Sequence, residues 1–246
     1  MADVSGRENG TGLGPTLMWG TFGRLEAVST SKKAAAQGGL NADSLAMAES
    51  FVFNPEPVHQ AREAAAAGGV DAPGNGACAA LTFMARALDA RAVVEIGTGA
   101  GVTGLALFAG MAPDGVLTSI DVDADWQLEA RQAFLGAGVA AQRFRLITGV
   151  ALDVLPKLRD GAYDMVFVNG DKLEYVEYVA QAARLLRAGG VLVLNDALWR
   201  NLVADPHNED DEALIIREAL QVVREDDGFT TLIIPLGDGL LAAVKH

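Results

Sequence analysis

Short apolar segments alternate with longer amphipathic segments along most of this chain. Five apolar segments have the length of a buried strand, and they cover residues 92–96, 116–120, 144–148, 165–168 and 191–194. Between the last two, Tyr175, Val179, Ala182 and Leu186 recur at helical spacing. Continuous apolar strands that alternate with helices predict a parallel sheet with helices on both faces.

Further helices are predicted on either side of this alternating region. They cover residues 56–67, 76–88, 102–111, 125–136 and 214–225. Asp125 is the residue type that caps a helix N-terminus, so we expect it to begin the fourth of these helices. Gly189 and Gly190 are expected to end the helix that contains Tyr175.

The last part of the chain departs from the alternation. Two apolar segments, residues 230–235 and 240–244, are separated by only four residues that include Gly237 and Gly239. So short a connection favours a β-hairpin, which makes the final strand antiparallel to its neighbour. The predicted fold class is therefore α/β, with a seven-stranded, mostly parallel, Rossmann-like sheet and an antiparallel C-terminal hairpin.

Domain organisation follows from length and local composition. Residues 1–45 are rich in Gly, Ser and Ala and show little hydrophobic periodicity, which predicts a flexible N-terminal arm. The remaining residues, 46–246, suit one α/β domain with a full core.

Composition narrows the functional classes. The chain has 19 basic and 32 acidic residues, a net charge of −13 that disfavours nucleic acid as a partner. It has no apolar run long enough to span a membrane, and its N-terminus lacks the pattern of a secretory signal. Cys78 is the single cysteine, which excludes an internal disulfide. We expect a cytoplasmic protein that acts on a small molecule.

A glycine-rich turn follows the first predicted strand. Gly97, Gly99 and Gly101 let the backbone approach a ligand closely at a helix N-terminus, where free N–H groups point outward. Glu95 lies at the end of the strand, and Asp121 ends the second strand, where a carboxylate can accept hydrogen bonds from ribose hydroxyls. Dinucleotide-binding enzymes and methyltransferases share these features, so the turn alone leaves both classes open.

The C-terminal hairpin separates the two classes, because it suits the seven-stranded methyltransferase sheet and not a plain dinucleotide-binding fold. Four segments in order then resemble the cation-dependent O-methyltransferase family, which includes caffeoyl-CoA and catechol O-methyltransferases. They are VEIGTGAGVT at 94–103, IDVD at 120–123, YDMVFV at 163–168 and LRAGGV at 186–191. The resemblance runs from about residue 48 to the C-terminus and is closest to small bacterial members.

The resemblance implies S-adenosyl-L-methionine as the cofactor and assigns residues to it. It places Glu95 and the turn formed by Gly97, Thr98, Gly99 and Gly101 beside the methionine and ribose of the cofactor. Thr103 would hold the methionine carboxylate, Asp121 the ribose hydroxyls and Ala151 the adenine, and Asn169 would lie next to them. The resemblance also implies a homodimer.

The matching positions for a divalent cation are Asn169, Asn195 and Asp196, whereas the family pattern has Asp, Asp and Asn at these places. One carboxylate therefore remains of two, which weakens Mg²⁺ binding and leaves metal dependence open. Lys172 matches a lysine that takes the acceptor proton, so Lys172 and Asn169 are the candidate catalytic residues. Tyr175 and Trp199 match aromatic positions of the acceptor pocket, and either can equally be a core residue.

Several functions remain at this point. The first is an O-methyltransferase that acts on a small hydroxylated, aromatic acceptor. The others are a metal-independent methyltransferase with another class of acceptor, a nucleotide-dependent oxidoreductase, and a non-catalytic homologue that binds S-adenosylmethionine.

Overall fold

A seven-stranded sheet forms the centre of the computed structural model, which describes residues 41–246. Its strands are β1 (Ala92–Ile96), β2 (Val116–Asp121), β3 (Phe144–Thr148), β4 (Tyr163–Val168), β5 (Leu186–Leu194), β6 (Phe229–Ile234) and β7 (Leu240–Lys245). Their order across the sheet is β3-β2-β1-β4-β5-β7-β6. Neighbours among β1 to β5 are parallel, and β7 is antiparallel to both β5 and β6. The predicted fold class, including the antiparallel hairpin, is confirmed.

Eight α-helices accompany the sheet within residues 41–246. They are α1 (Ala42–Ser50), α2 (Glu56–Ala67), α3 (Asn75–Ala87), α4 (Val102–Gly110), α5 (Ala124–Gly136), α6 (Ala151–Val154), α7 (Tyr175–Leu185) and α8 (Asp211–Glu225). No helix in this part of the chain is long and apolar enough to cross a membrane.

Helices cover both faces of the sheet. Successive residues of a strand point to opposite faces, so each strand contributes to two cores. On β4, Met165 and Phe167 join the core that α3, α4 and α5 cover. Val166 and Val168 join the opposite core, which α7 and α8 cover. The central strands β1, β2 and β4 are buried on both sides, which explains why they are mostly apolar without alternation.

The predicted flexible arm lies mostly in residues 1–40, which are outside the described residues. Helix α1 spans the predicted boundary between residues 45 and 46, and Glu49 of this helix accepts hydrogen bonds from the backbone of Gly76 and Gly237. The division of the chain into arm and domain remains a prediction.

Two local predictions need correction. Helix α5 begins at Ala124, and its N-cap is Asp123 rather than Asp125, because the Asp123 carboxylate accepts hydrogen bonds from the N–H groups of Asp125 and Trp126. Helix α7 ends at Leu185, before Gly189 and Gly190. Those glycines lie within β5, which begins at Leu186 and shifts register against β4 between Tyr163 and Met165.

Candidate functional site

The carboxyl ends of the five neighbouring strands β3, β2, β1, β4 and β5 form one continuous edge. The residue that follows each of β1, β3, β4 and β5 extends the hydrogen-bonded ladder by one step. These bonds run from Gly97 N to Ile120 O (2.8 Å), from Asn169 N to Ile96 O (2.8 Å), from Asn195 N to Val168 O (2.9 Å) and from Gly149 N to Asp121 O (2.8 Å). Residues that are far apart in the chain are therefore brought side by side, at the edge where ligands bind in parallel α/β sheets.

The glycine turn fits against this edge only because Gly97 and Gly101 lack side chains. Gly97 has a φ of +88°, and a Cβ there would lie 2.3 Å from the backbone oxygen of Asn169. Gly101 has a φ of +87°, and its Cβ would lie 3.1 Å from the Cα of Ala130. Any other residue at these two positions would require both a strained backbone and displaced neighbours.

Asp121 holds the glycine turn from the adjacent strand. One oxygen of its carboxylate accepts hydrogen bonds from the N–H groups of Thr98 (2.8 Å) and Gly99 (3.0 Å). The other oxygen accepts from Asp123 N at 3.0 Å. Asp121 stays partly exposed and lines the cleft above the turn, which keeps it available for a ligand. Its binding of ribose remains a prediction.

A buried polar network lies beneath the turn. The Glu95 carboxylate is fully buried and accepts hydrogen bonds from the hydroxyls of Thr103 (2.5 Å) and Ser119 (2.6 Å). Ser119 lies 2.6 Å from the Thr98 hydroxyl, which in turn accepts from Gln127 Nε2 at 2.8 Å. Ser119 and Gln127 escaped the sequence analysis, although a serine within an apolar strand is a detectable signal.

Burial raises the pKa of Glu95 to about 7 from an ordinary value of 4.5. The hydrogen bonds from Ser119 and Thr103 oppose this rise, and nearby Asp121 adds to it. Since no cationic side chain is bonded to Glu95 within residues 41–246, its charge is sustained by hydroxyl groups alone.

Two clefts open at the edge and share Gly97, Asp121 and Asn169 in their walls. The larger has a volume of about 600 Å³ and also contains Gly99. The smaller has a volume of about 320 Å³ and contains Ala151, which was predicted to lie near adenine. Of the predicted cofactor residues, Glu95, Thr98, Gly101 and Thr103 line neither cleft. Thr98 and Gly101 belong to the turn itself, whereas Glu95 and Thr103 lie in the buried network beneath it.

The remaining predicted residues form a cluster in the larger cleft, which we call the acceptor cluster: Asn169, Lys172, Asn195 and Asp196. The Asn195 amide nitrogen donates to Asn169 Oδ1 and to Asp196 Oδ1, both at 2.8 Å. The Lys172 ammonium forms an ion pair with Asp196 Oδ2 at 2.7 Å.

These contacts do not fit a divalent cation. Asp196 is the single carboxylate of the cluster, and its two oxygens are bonded to the Lys172 ammonium and the Asn195 amide. The Asn195 side chain turns its amide nitrogen toward Asn169 Oδ1 and Asp196 Oδ1. An amide nitrogen does not bind a metal ion, so Asn195 offers no ligand on this side. Within residues 41–246, no three His, Cys, Asp or Glu side chains converge as metal ligands.

Aromatic residues confine the lysine. Lys172 Nζ lies 5.3 Å from the ring centre of Tyr175 and 5.4 Å from that of Trp199. Tyr175 is fully buried and its hydroxyl donates to Asn195 O at 3.1 Å, so it is a core residue that also positions β5. Trp199 lines the cleft.

The C-terminal hairpin contributes to the site in a way that the sequence analysis missed. The carboxylate of Asp238, in the turn between β6 and β7, accepts hydrogen bonds from Arg200 N at 2.7 and 2.8 Å. Both residues line the larger cleft. The hairpin therefore forms part of the wall of the larger cleft as well as completing the sheet.

Fold and site together define an α/β protein with a ligand cleft above a glycine turn, a carboxylate at the end of β2 and an antiparallel last strand. Comparison with known proteins gives the family. The model of the O-methyltransferase family matches residues 73–246, so the chain belongs to the O-methyltransferase family and is a methyltransferase.

Individual relatives agree with this assignment. The chain is 44% identical over 201 residues to a predicted O-methyltransferase of Mycobacterium sp. (strain KMS), covering 82% of this chain and 91% of the relative. A crystal structure of a protein from Corynebacterium glutamicum is similar with a TM-score of 0.77 at 32% identity, covering 82% of this chain and 96% of that one.

A further solved structure carries a ligand. The O-methyltransferase TomG of Streptomyces achromogenes, involved in tomaymycin synthesis, was crystallised in complex with S-adenosylmethionine. It is similar with a TM-score of 0.75 at 27% identity, and the match covers 83% of this chain and 96% of TomG.

Proposed function

We propose that this protein transfers a methyl group from S-adenosyl-L-methionine to a hydroxyl group of a small aromatic acceptor. The cofactor lies over the glycine turn, between the two clefts, and the acceptor lies in the larger cleft beside Lys172 and Trp199. One observation supports the proposal most strongly. In a chain of the O-methyltransferase family, the glycine turn contacts the larger cleft's cluster of polar side chains where Gly97 meets Asn169.

The glycine turn fits a nucleoside cofactor. A Cβ at Gly99 would meet no atom within 4 Å, so the turn leaves open space above it on the side of the cleft. Asp121 is held rigidly by three N–H groups, which fixes its carboxylate for the two ribose hydroxyls. Ala151, in the smaller cleft, leaves room for a planar base.

The bound cofactor supplies an electrophilic methyl group on a positively charged sulfur. The acceptor oxygen forms the new bond to carbon as the carbon–sulfur bond breaks, and sulfur keeps that electron pair. The hydroxyl proton passes to the Lys172–Asp196 pair, in which the carboxylate has the free lone pair. The sulfonium charge and the carboxylate charge disappear together, so the step is balanced.

An aromatic acceptor suits the walls of the larger cleft. Trp126 and Trp199 line it together with Val70 and Pro73, and so does the Lys172–Asp196 pair, whose side chains are mostly buried. A flat apolar ring can pack on the indole groups while its hydroxyl reaches the charged pair.

The resemblance to the family further implies a homodimer, and composition implies a cytoplasmic location. Both remain predictions that size measurements in solution and cell fractionation will test.

Calorimetry with S-adenosylhomocysteine and with NAD tests the cofactor assignment. We expect S-adenosylhomocysteine to bind at micromolar concentrations and NAD to show no heat of binding. The opposite result would contradict the proposal and favour a nucleotide-dependent oxidoreductase.

A screen of small phenols with methyl-labelled cofactor tests the reaction itself. We expect labelled ether products from at least one hydroxylated aromatic compound. Tight binding of S-adenosylhomocysteine without transfer to any phenol, hydroxylated aliphatic compound or amine would instead favour the non-catalytic homologue.

A further inference from the structure

The side chains of the acceptor cluster carry one negative and one positive formal charge. Asp196 provides the carboxylate and Lys172 the ammonium, while Asn169 and Asn195 are neutral amides. A divalent cation needs a site with a surplus of carboxylate charge, and this cluster has none.

The position of the carboxylate matters as much as the number of carboxylates. The family pattern places Asp at positions 169 and 195 and Asn at 196, which together with a lysine leaves one net negative charge. This chain places its single carboxylate at 196, which is the position that Lys172 reaches at 2.7 Å. The substitutions therefore remove charge from the metal side and give the lysine a partner.

We propose that the Lys172 ammonium takes the place of the divalent cation, so that methyl transfer here needs no metal and the acceptor needs only one hydroxyl group at the site. This inference rests on the proposed methyltransferase function. The Lys172 ammonium stabilises the acceptor oxygen, and the substrates that it can serve include phenols with a single hydroxyl group.

The surroundings of Lys172 support a fixed position for its charge. Its side chain is only 13% exposed, and the ammonium lies near the faces of Tyr175 and Trp199 while it also faces the Gly170 carbonyl at 3.4 Å. A cation confined in this way stabilises the negative charge that develops on an acceptor oxygen.

The consequence for the substrate comes from geometry. A metal ion can bind two adjacent oxygens of a catechol at once, which makes the second hydroxyl part of recognition. An ammonium group is a point donor and needs one oxygen only. Phenols without a neighbouring hydroxyl are therefore expected to be methylated at rates within about tenfold of those of catechols.

Binding of Mn²⁺ tests the inference without relying on activity. The full chain, saturated with S-adenosylhomocysteine, is titrated with Mn²⁺ and the free ion is followed by electron paramagnetic resonance. We expect no binding tighter than about 1 mM. The matched variant Asn169→Asp/Asn195→Asp/Asp196→Asn restores the family pattern and should bind Mn²⁺ roughly tenfold more tightly or better.

Folding of the triple variant is checked by circular dichroism and by its affinity for S-adenosylhomocysteine. Should the variant fail to fold, the titration of the parent protein still decides. Binding of Mn²⁺ by the parent at micromolar concentrations, removed by Asp196→Asn, would overturn the inference.

Activity gives a second measurement, with phenol and catechol as paired acceptors in the presence of EDTA. Methylation that is unchanged by EDTA supports the inference, whereas loss of activity that Mg²⁺ restores contradicts it. If neither compound is methylated, the proposed acceptor class is wrong, while the Mn²⁺ titration still decides between ammonium and metal.

Discussion

The two halves of the cleft are built from different materials. On the cofactor half, the glycine turn at residues 97–101 is held by backbone N–H groups that donate to Asp121, and a buried hydroxyl network supports it from below. On the acceptor half, Asn169, Lys172, Asn195 and Asp196 contact one another through side chains alone.

This difference determines how many different sequences each half of the cleft can tolerate. A turn held by backbone groups requires glycine at Gly97 and Gly101, and few other sequences satisfy it. A cluster held by side chains can exchange carboxylates for amides and still remain bonded, provided that each donor meets an acceptor. The fold therefore restricts the sequence of the cofactor half more strictly than that of the acceptor half.

The largest expected effect is on the acceptor half. Lys172→Met removes the ammonium from the Asp196 ion pair, so methyl transfer should slow by about 10²–10⁴-fold. The affinity for S-adenosylhomocysteine should change little, because the turn and Asp121 remain intact. Initial rates with labelled cofactor and calorimetry measure the two quantities.

Lys157→Met is the matched control, since Lys157 is exposed and lies in a short 3₁₀ segment away from both clefts. It should leave both quantities unchanged. Parental activity in Lys172→Met would exclude any role of this lysine in the reaction.

The next effect breaks the cofactor half. Gly97→Ala forces a left-handed alanine and places a Cβ 2.3 Å from the Asn169 carbonyl oxygen. The strained backbone and the close contact together should lower the free energy of unfolding by roughly 2–5 kcal/mol, as measured by urea denaturation. The affinity for S-adenosylhomocysteine should also fall.

Gly138 offers a control with the same backbone strain and no collision. Its φ is +78°, it is exposed, and a Cβ there would meet no atom within 4 Å. Gly138→Ala should therefore cost only about 1 kcal/mol. Equal losses in the two variants would show that the contact with Asn169 is unimportant.

The pH dependence of stability tests the buried network. Because Glu95 has a folded pKa of about 7, above its ordinary 4.5, folding favours the protonated acid. Its contribution is complete below pH 4.5 and is lost as the pH rises through 7. Relative to Glu95→Gln, the parent protein should lose about 2–3 kcal/mol between pH 5 and pH 8.

Urea denaturation of both proteins at the two pH values measures this difference, and Glu129→Gln on the exposed face of α5 is the control. Parallel stability curves for the parent protein and Glu95→Gln would mean that Glu95 does not change its protonation in this range.

The smallest effect connects the acceptor half to the core. Tyr175→Phe removes the hydrogen bond to the Asn195 carbonyl and should cost about 1 kcal/mol, or about 2–4 °C in melting temperature. Tyr163→Phe is the control, because the Tyr163 hydroxyl has no hydrogen-bond partner within residues 41–246 and is partly exposed. An equal shift in melting temperature in both variants would show that the Tyr175 hydroxyl does not help to position the end of β5.

The strands and the turn were predictable because their signals are local. Residues 92–96 are apolar except for Glu95 since β1 is buried on both faces, and the prediction matches β1 residue for residue. The four-residue connection near Gly237 was enough to predict the antiparallel hairpin of β6 and β7. In the same way, the glycine spacing predicted the turn that the structure places at the sheet edge.

Contacts between distant residues were less predictable. Asp123 and Asp125 are both suitable helix caps, and only the backbone geometry decides that Asp123 is the N-cap of α5. In the sequence, Ser119 is a polar residue in an apolar strand with no evident partner. The pairing of β1 and β2 places Glu95 opposite Ser119, whose hydroxyl donates to the Glu95 carboxylate. Glu95 lies beneath the turn, and its predicted position beside the cofactor remains a prediction.

The sequence by itself determined the fold class, the family and the position of the cofactor turn. These depend on periodicity and on glycine at positive φ, which are properties of short stretches of chain. Only the tertiary structure decided that Asp196 is paired with Lys172 and Asn195 with Asn169, because these contacts join the ends of β4 and β5 across 24 and 26 residues of chain. In the proposed function, the glycine turn marks where methyl transfer takes place, and the pairing of charges across the sheet edge determines how the acceptor hydroxyl is deprotonated.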